Sequence, residues 1–154
     1  MKRTLVGAVL VVATLLVASS AAGAIGMRAA GKQYLKDVTS VDAALKTFDS
    51  QIHAWTNSTK DVQGEREAKS LLSALVNVRF RLLNQAWPQS VKGNVVFICT
   101  QDISSLEEDL REIDSNSMLG NGAFQLTFSA DSRTLALDAF YVRKDLGLPN
   151  SRSL

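Results

Sequence analysis

The chain has 154 residues, of which 46% are apolar, with 17 Lys and Arg against 15 Asp and Glu and a single cysteine. Setting aside Lys2 and Arg3, which belong to an N-terminal targeting segment, leaves roughly 130 residues in charge balance, the size of one domain around one core. That balance, with no basic run interleaved with aromatics, excludes nucleic-acid binding as a main role, and the lone Cys99 excludes an intrachain disulfide and a paired-thiolate metal site.

Met1-Lys2-Arg3-Thr4 is a short basic start, Leu5 to Ala18 is an apolar run, and Ser19 to Ala24 is rich in small residues. This layout predicts a signal peptide over 1–24, cut after Ala24 or alternatively after Ala22. The competing expectation is an uncleaved anchor over 5–27, because Leu5 to Met27 carries no charge and about 20 such residues span a bilayer as a helix. Lys2 and Arg3 would then stay in the cytoplasm. No cysteine follows the apolar run, so lipid attachment there is excluded. Both alternatives place the domain outside the cytoplasm, secreted or in the cell envelope, with membrane contact only through 5–27.

Tyr34, Val38, Val41, Leu45, Phe48, Ile52 and Trp55 alternate at spacings of four and three and predict a first amphipathic helix that ends at Asn57-Ser58-Thr59. Ala68, Leu71, Leu75, Val78 and Leu82 make a second stripe, which Leu72, Val76 and Leu83 widen to one side. Ser58 or Asp61 caps its start, and Pro88 ends it by forcing Trp87 out of helical geometry. A third helix, beginning near Pro88 or Val91, carries the seam Val96, Cys99, Ile103, Leu106, Leu110 and Ile113. A fourth uses Phe124, Phe128, Leu135, Ala139, Val142 and Leu146 and stops at Gly147-Leu148-Pro149. Val95 to Ile98 and Leu126 to Phe128 are the two places where a strand competes with helix. Connections of roughly four to ten residues make sequential helices antiparallel. The expected fold is all-α: an N-terminal hydrophobic targeting helix, an up-down-up-down four-helix bundle over 30–148, and a short tail over 149–154.

Few residues offer chemistry. His53 is the sole histidine and is expected on the surface, with no acidic ligand partner on its own turn. A haem is disfavoured because no Cys-x-x-Cys-His occurs and Met118 sits among Gly, Asn and Ser. Cys99 is expected as a buried thiol of raised pKa and little reactivity. Glu107, Glu108, Asp109, Glu112 and Asp114 make an acidic end to helix three, while Lys69, Arg79 and Arg81 give helix two a basic bias; solvated faces and interhelical ion pairs account for both. Asp114 to Gly120 has some of the oxygens of a calcium loop and lacks its closing carboxylate. Trp55, Trp87 and Tyr141 belong at bundle ends or seams, and any two exposed together would mark a partner surface. No nucleophile motif, phosphate loop or metalloprotease signature occurs. The expectation is therefore no catalytic, cofactor-binding or metal residue, no cofactor, and no enzyme.

Ala43-Ala44-Leu45 with Phe48, Ala86-Trp87-Pro88, and Arg143-Lys144-Asp145-Leu146-Gly147-Leu148-Pro149 form a layout that resembles small exported or lipid-anchored actinobacterial helical-bundle proteins of unknown function. The resemblance covers most of the chain after the targeting segment, implies a compartment and a lineage, and brings no site residue; the lipobox cysteine of many such proteins is missing here. The expected function is non-enzymatic: an envelope or secreted protein that contacts an extracytoplasmic protein partner. The alternative is a bundle holding a small apolar ligand between its helices.

Overall fold

A computed structural model of the chain describes residues 7–53, 62–116, 122–151 and 154, with side chains described from Gly26 onward and, in the second, third and fourth arms, over 64–113 and from 122. The expected signal peptide or anchor, Trp55, the Ser58 and Asp61 caps, Met118 and the side chains of the 114–120 loop lie outside the residues so described. Among the described residues no helix is long and apolar enough to cross a membrane.

Four packed helical arms form the domain, and no strand occurs among the described residues: α1 (Gly7–Ile52), α2 (Val62–Asn84), a third arm made of α3 (Gln89–Thr100) and α4 (Asp102–Asn116), and α5 (Gly122–Asp145). α1 packs on α2 and α5, α2 on α4, α4 on α5, and α3 on α2, α4 and α5. Val95 to Ile98 and Leu126 to Phe128 are helical.

The stripes become the core. Tyr34, Val38, Val41, Leu45, Phe48 and Ile52 are buried on α1, with Ala30 extending the row one turn back. On α2, Ala68, Leu71, Leu75, Val78 and Leu82 are buried, while Val76 and Leu83, expected to widen the stripe, are more than a third exposed. At 100° per residue those two positions fall beyond the arc that two neighbouring arms can cover. Phe124, Phe128, Leu135, Ala139, Val142 and Leu146 are all buried from the fourth arm. Phe128 sits edge-on to Phe48, ring centroids 5.0 Å apart, so α1 and α5 lock through aromatic contact.

The third arm departs from expectation. It bends at Gln101 (φ −111°, ψ −73°), where the Ser104 hydroxyl donates to the Cys99 carbonyl at 3.2 Å, five residues back. The bend shifts the helical register. α3 buries Val91, Val95, Ile98 and Cys99, and Val96, expected in the seam, is exposed; α4 buries Ile103, Leu106, Leu110 and Ile113. Continuing the Val91–Val95–Ile98 row past the bend leads to position 102 and, seven further, to 109. Both are aspartates, and both are buried.

The ends follow local rules. Pro88 precedes α3, its carbonyl accepting from the Val91 and Lys92 amides, and the Trp87 indole donates to the Leu82 carbonyl at 2.6 Å. After α5, Gly147 adopts φ 66°; its amide bonds the Lys144 carbonyl and the Leu148 amide the Arg143 carbonyl, a Schellman stop. Leu148 then lies on α1, where a Cβ at Gly31 would come within 3.1 Å of it. Buried Arg143 holds the tail, donating to the Pro149 carbonyl at 3.3 Å and to a Leu154 main-chain oxygen at 3.1 Å, while the Leu154 amide donates to Asp42 at 3.2 Å.

Candidate functional site

Three places collect polar or exposed aromatic groups in ways the core does not require. The first joins α1 to α5. Asp49 lies in the last turn of α1 and His53 just past its end, and the buried Ser129 of α5 donates to Asp49 at 2.9 Å and lies 3.4 Å from His53 Nε2. His53 is on the surface as expected, but it does have an acidic residue on its own turn: Asp49 is four residues earlier, the spacing that puts two side chains on one helix face. The residue types suggest acyl transfer; the wiring argues against it. Ser129 gives its hydrogen bond to the carboxylate, so the imidazole does not stand between the two. Ser129 also sits inside α5, where neighbouring amides are bonded within the helix and none can serve as an oxyanion donor.

The second place is the seam between α4 and α5. Asp102 and Asp109 are 7% and 9% exposed, and Oδ2 of each has no hydrogen-bond partner. Facing them on α5 are Asp131 and Asp138, also seven residues apart, so two antiparallel rows of carboxyls meet at about 10 Å intervals. Burial, reinforced by Asp138 and Asp131, pushes the Asp102 carboxyl up to about 7; Asp102 also shares a hydrogen bond with Asp138. Burial, reinforced by Asp131, Glu112 and Glu108, pushes Asp109 up to about 7 as well. Glu107, two residues before Asp109, makes the contrast. Glu107 is even more deeply buried but accepts from Arg79 at 2.8 and 3.0 Å, the interhelical ion pair the sequence led us to expect, and from Arg111 of its own helix at 3.0 Å. Among the described residues no group of His, Cys, Asp and Glu is arranged to hold a metal ion.

The third place opens beside the second. Asn94 and Phe97 of α3 and Asp138, Tyr141, Lys144 and Asp145 of α5 line a surface groove of about 230 Å³. Phe97 is 51% exposed and Tyr141 48%. Asn94 donates to Asp145 at 2.7 Å and fixes one end of it. Asp138 is shared: it lines the groove and bonds Asp102 beneath.

Cys99 is fully buried, and burial pushes its thiol up to about 12, as expected of a core cysteine. Tyr34 is also fully buried; desolvation pushes its phenol upward against an opposing effect of Arg143, and its hydroxyl has no partner. Trp87 is half-buried, edge-on to Tyr34 with centroids 6.3 Å apart.

Comparison with known proteins brings no match: no protein family, no curated relative and no solved structure is similar to this chain.

Proposed function

We propose that this chain is an exported, non-enzymatic interaction protein of the cell envelope or the external medium, contacting an extracytoplasmic protein partner. One observation carries the reading. Beside the buried core rows, Phe80, Phe97, Leu126 and Leu137 stand more than half exposed, with Leu126 at 72% and Phe80 at 67%, and Tyr141 is 48% exposed. Exposed large apolar side chains that lie together mark protein contacts, and Phe97 and Tyr141 share one groove. Export rests on the basic start, apolar run and small residues of 1–24, with retention of 5–27 as an anchor as the alternative, and the resemblance to exported actinobacterial bundles supports the same compartment. The up-down-up-down course is supported by pairs that join opposite ends of neighbouring arms: Gly31 with Leu148, Ser129 with Asp49, and Arg81 with Asp37 at 3.8 Å.

The test is photocrosslinking in the native envelope from residues 80, 97, 126 and 137. Capture of one defined protein from one face supports the proposal, and its absence from all four overturns it. A second reading, a small apolar ligand, is favoured by one feature: a groove of about 360 Å³ between α1 and α2 with Ala43, Ala44, Phe48 and Leu71 in its walls. Native mass spectrometry of protein taken from its own envelope tests it, since a retained ligand adds mass.

A further inference from the structure

The α3–α5 groove has a chemistry its exposure alone does not explain. Its walls carry two aromatic rings, two carboxylates, Asp138 and Asp145, and one cation, Lys144, and Asp138 meets the buried Asp102 behind the groove wall. Among the described residues neither Asp102 nor Asp138 has an ion-pair partner, although every other buried acidic side chain of α1 and α4 outside this seam does. Asp102 is 93% removed from solvent and keeps an oxygen without a hydrogen bond. Bringing two carboxyls together under low dielectric is unfavourable unless a proton or a cation joins them. Faces of Phe and Tyr attract cations too. The volume, about 230 Å³, is below the roughly 300–1,000 Å³ of sites for drug-sized ligands and suits the end of one side chain.

We infer that this groove is a receptor for a Lys or Arg side chain of the protein partner, its cationic head lying against the Phe97 and Tyr141 rings and neutralising the Asp138–Asp102 pair. The inference rests on the proposed interaction function and names its surface. The chain's own cation at the rim, Lys144, forms no ion pair among the described residues; it stands in the last turn of α5, where the helix dipole already favours it. A metal ion is the poorer occupant, because the carboxyls are strung along two helices instead of converging, and no metal-holding group is found among the described residues.

The charged groups around the pair are Asp131, Asp138, Lys144 and Asp145 from α5; α3 lines the groove with Asn94 and Phe97 only, and Arg79 of α2 is engaged by Glu107. A bound cation therefore displaces the proton that burial keeps on Asp102. Binding strengthens as pH rises from 5.5 to 8.5, although alkylammonium and alkylguanidinium ions stay charged throughout.

The chain has two tyrosines, Tyr141 in the groove and Tyr34 fully buried, so ring-labelling of tyrosine gives a reporter and an internal control. The full-length chain in dodecyl maltoside is titrated with n-butylammonium, n-butylguanidinium and n-butanol and followed by NMR. The expected result is a saturable shift of Tyr141 with both cations, in the millimolar range and several-fold tighter at pH 8.5 than at 5.5. Tyr34 stays still, and butanol has no comparable effect. Asp138→Asn weakens binding at least five-fold, and Lys144→Ala, which removes a competing cation, leaves it equal or tighter. No saturable shift, an equal response to butanol, or full binding by Asp138→Asn overturns the inference. Crosslinking from residue 97 separates the two levels. A partner captured equally by Asp138→Asn and by the unmodified chain refutes the groove while the interaction function stands. Cation binding without any captured protein refutes the protein source and the interaction function together.

Discussion

Replacing Asp109 with Asn is expected to stabilise the protein at pH 8 and to do nothing of the kind at pH 4. Asp109 titrates near 3.8 when exposed and is pushed up to about 7 in the fold, chiefly by burial. The folded state therefore keeps this proton between pH 4 and 7 while the unfolded chain has released it. Stability from this group is complete below pH 4 and is lost as pH rises through 7. A shift of about three units corresponds to about 4 kcal/mol at 1.36 kcal/mol per unit, an upper bound that relaxation and water reduce to the order of 2 kcal/mol. Asn removes the charge and keeps the shape, so urea unfolding at pH 8 should show a gain of about 1–2 kcal/mol, which vanishes at pH 4 where Asp109 itself is neutral. A variant less stable than the parent at pH 8, or a gain of equal size at both pH values, would refute a buried, uncompensated carboxyl at this position.

Other consequences are simpler to state. Arg79→Met leaves Glu107 buried with only Arg111 beside it and should cost about 3 kcal/mol in urea unfolding, most of which Arg79→Met with Glu107→Leu recovers. Gly147→Ala puts a Cβ at φ 66° and should cost about 1 kcal/mol, read as a lower Tm, with the helical content unchanged. Cys99 should resist iodoacetamide at pH 8 in the folded protein and react quickly in denaturant, since the native thiol is buried and pushed up to about 12. Ser129 should stay unlabelled by a fluorophosphonate, because its proton is bonded to Asp49; labelling would reopen the enzyme question.

The all-α character and most of the core were legible because amphipathic periodicity is a property of local sequence. Every stripe residue of α1 and α5 whose side chain is described is buried where the spacing put it. The third arm shows the limit. One seam through Val96 and Cys99 assumed a straight helix, and the bend at Gln101 moves the core position to Val95. A slip of one residue at a bend leaves no composition signal. The bend also explains why Asp109 could be read as part of a wet face: with Asp102 it continues the α3 row, not the α4 row. Asp49 was discoverable, standing four residues before His53, but Ser129, which meets them both, is 76 residues further on from His53. The Phe97–Tyr141 groove was half legible. Tyr141 was marked as a ring that would matter if exposed beside another, yet Phe97 fell within a run that read as seam.

The bend at Gln101 also divides the third arm into units of unequal durability. α3 has 12 residues, near the length at which a helix is marginal on its own, and it keeps its shape through four buried side chains. Such a segment is where sub-global opening begins, with amides that exchange before those of α2 or α5. Phe97 rides on it, whereas Tyr141 and Asp138 belong to the 24-residue α5. One wall of the groove thus stands on a short helix and the other on a long one, so any local opening of α3 would move Phe97 relative to Tyr141 and Asp138.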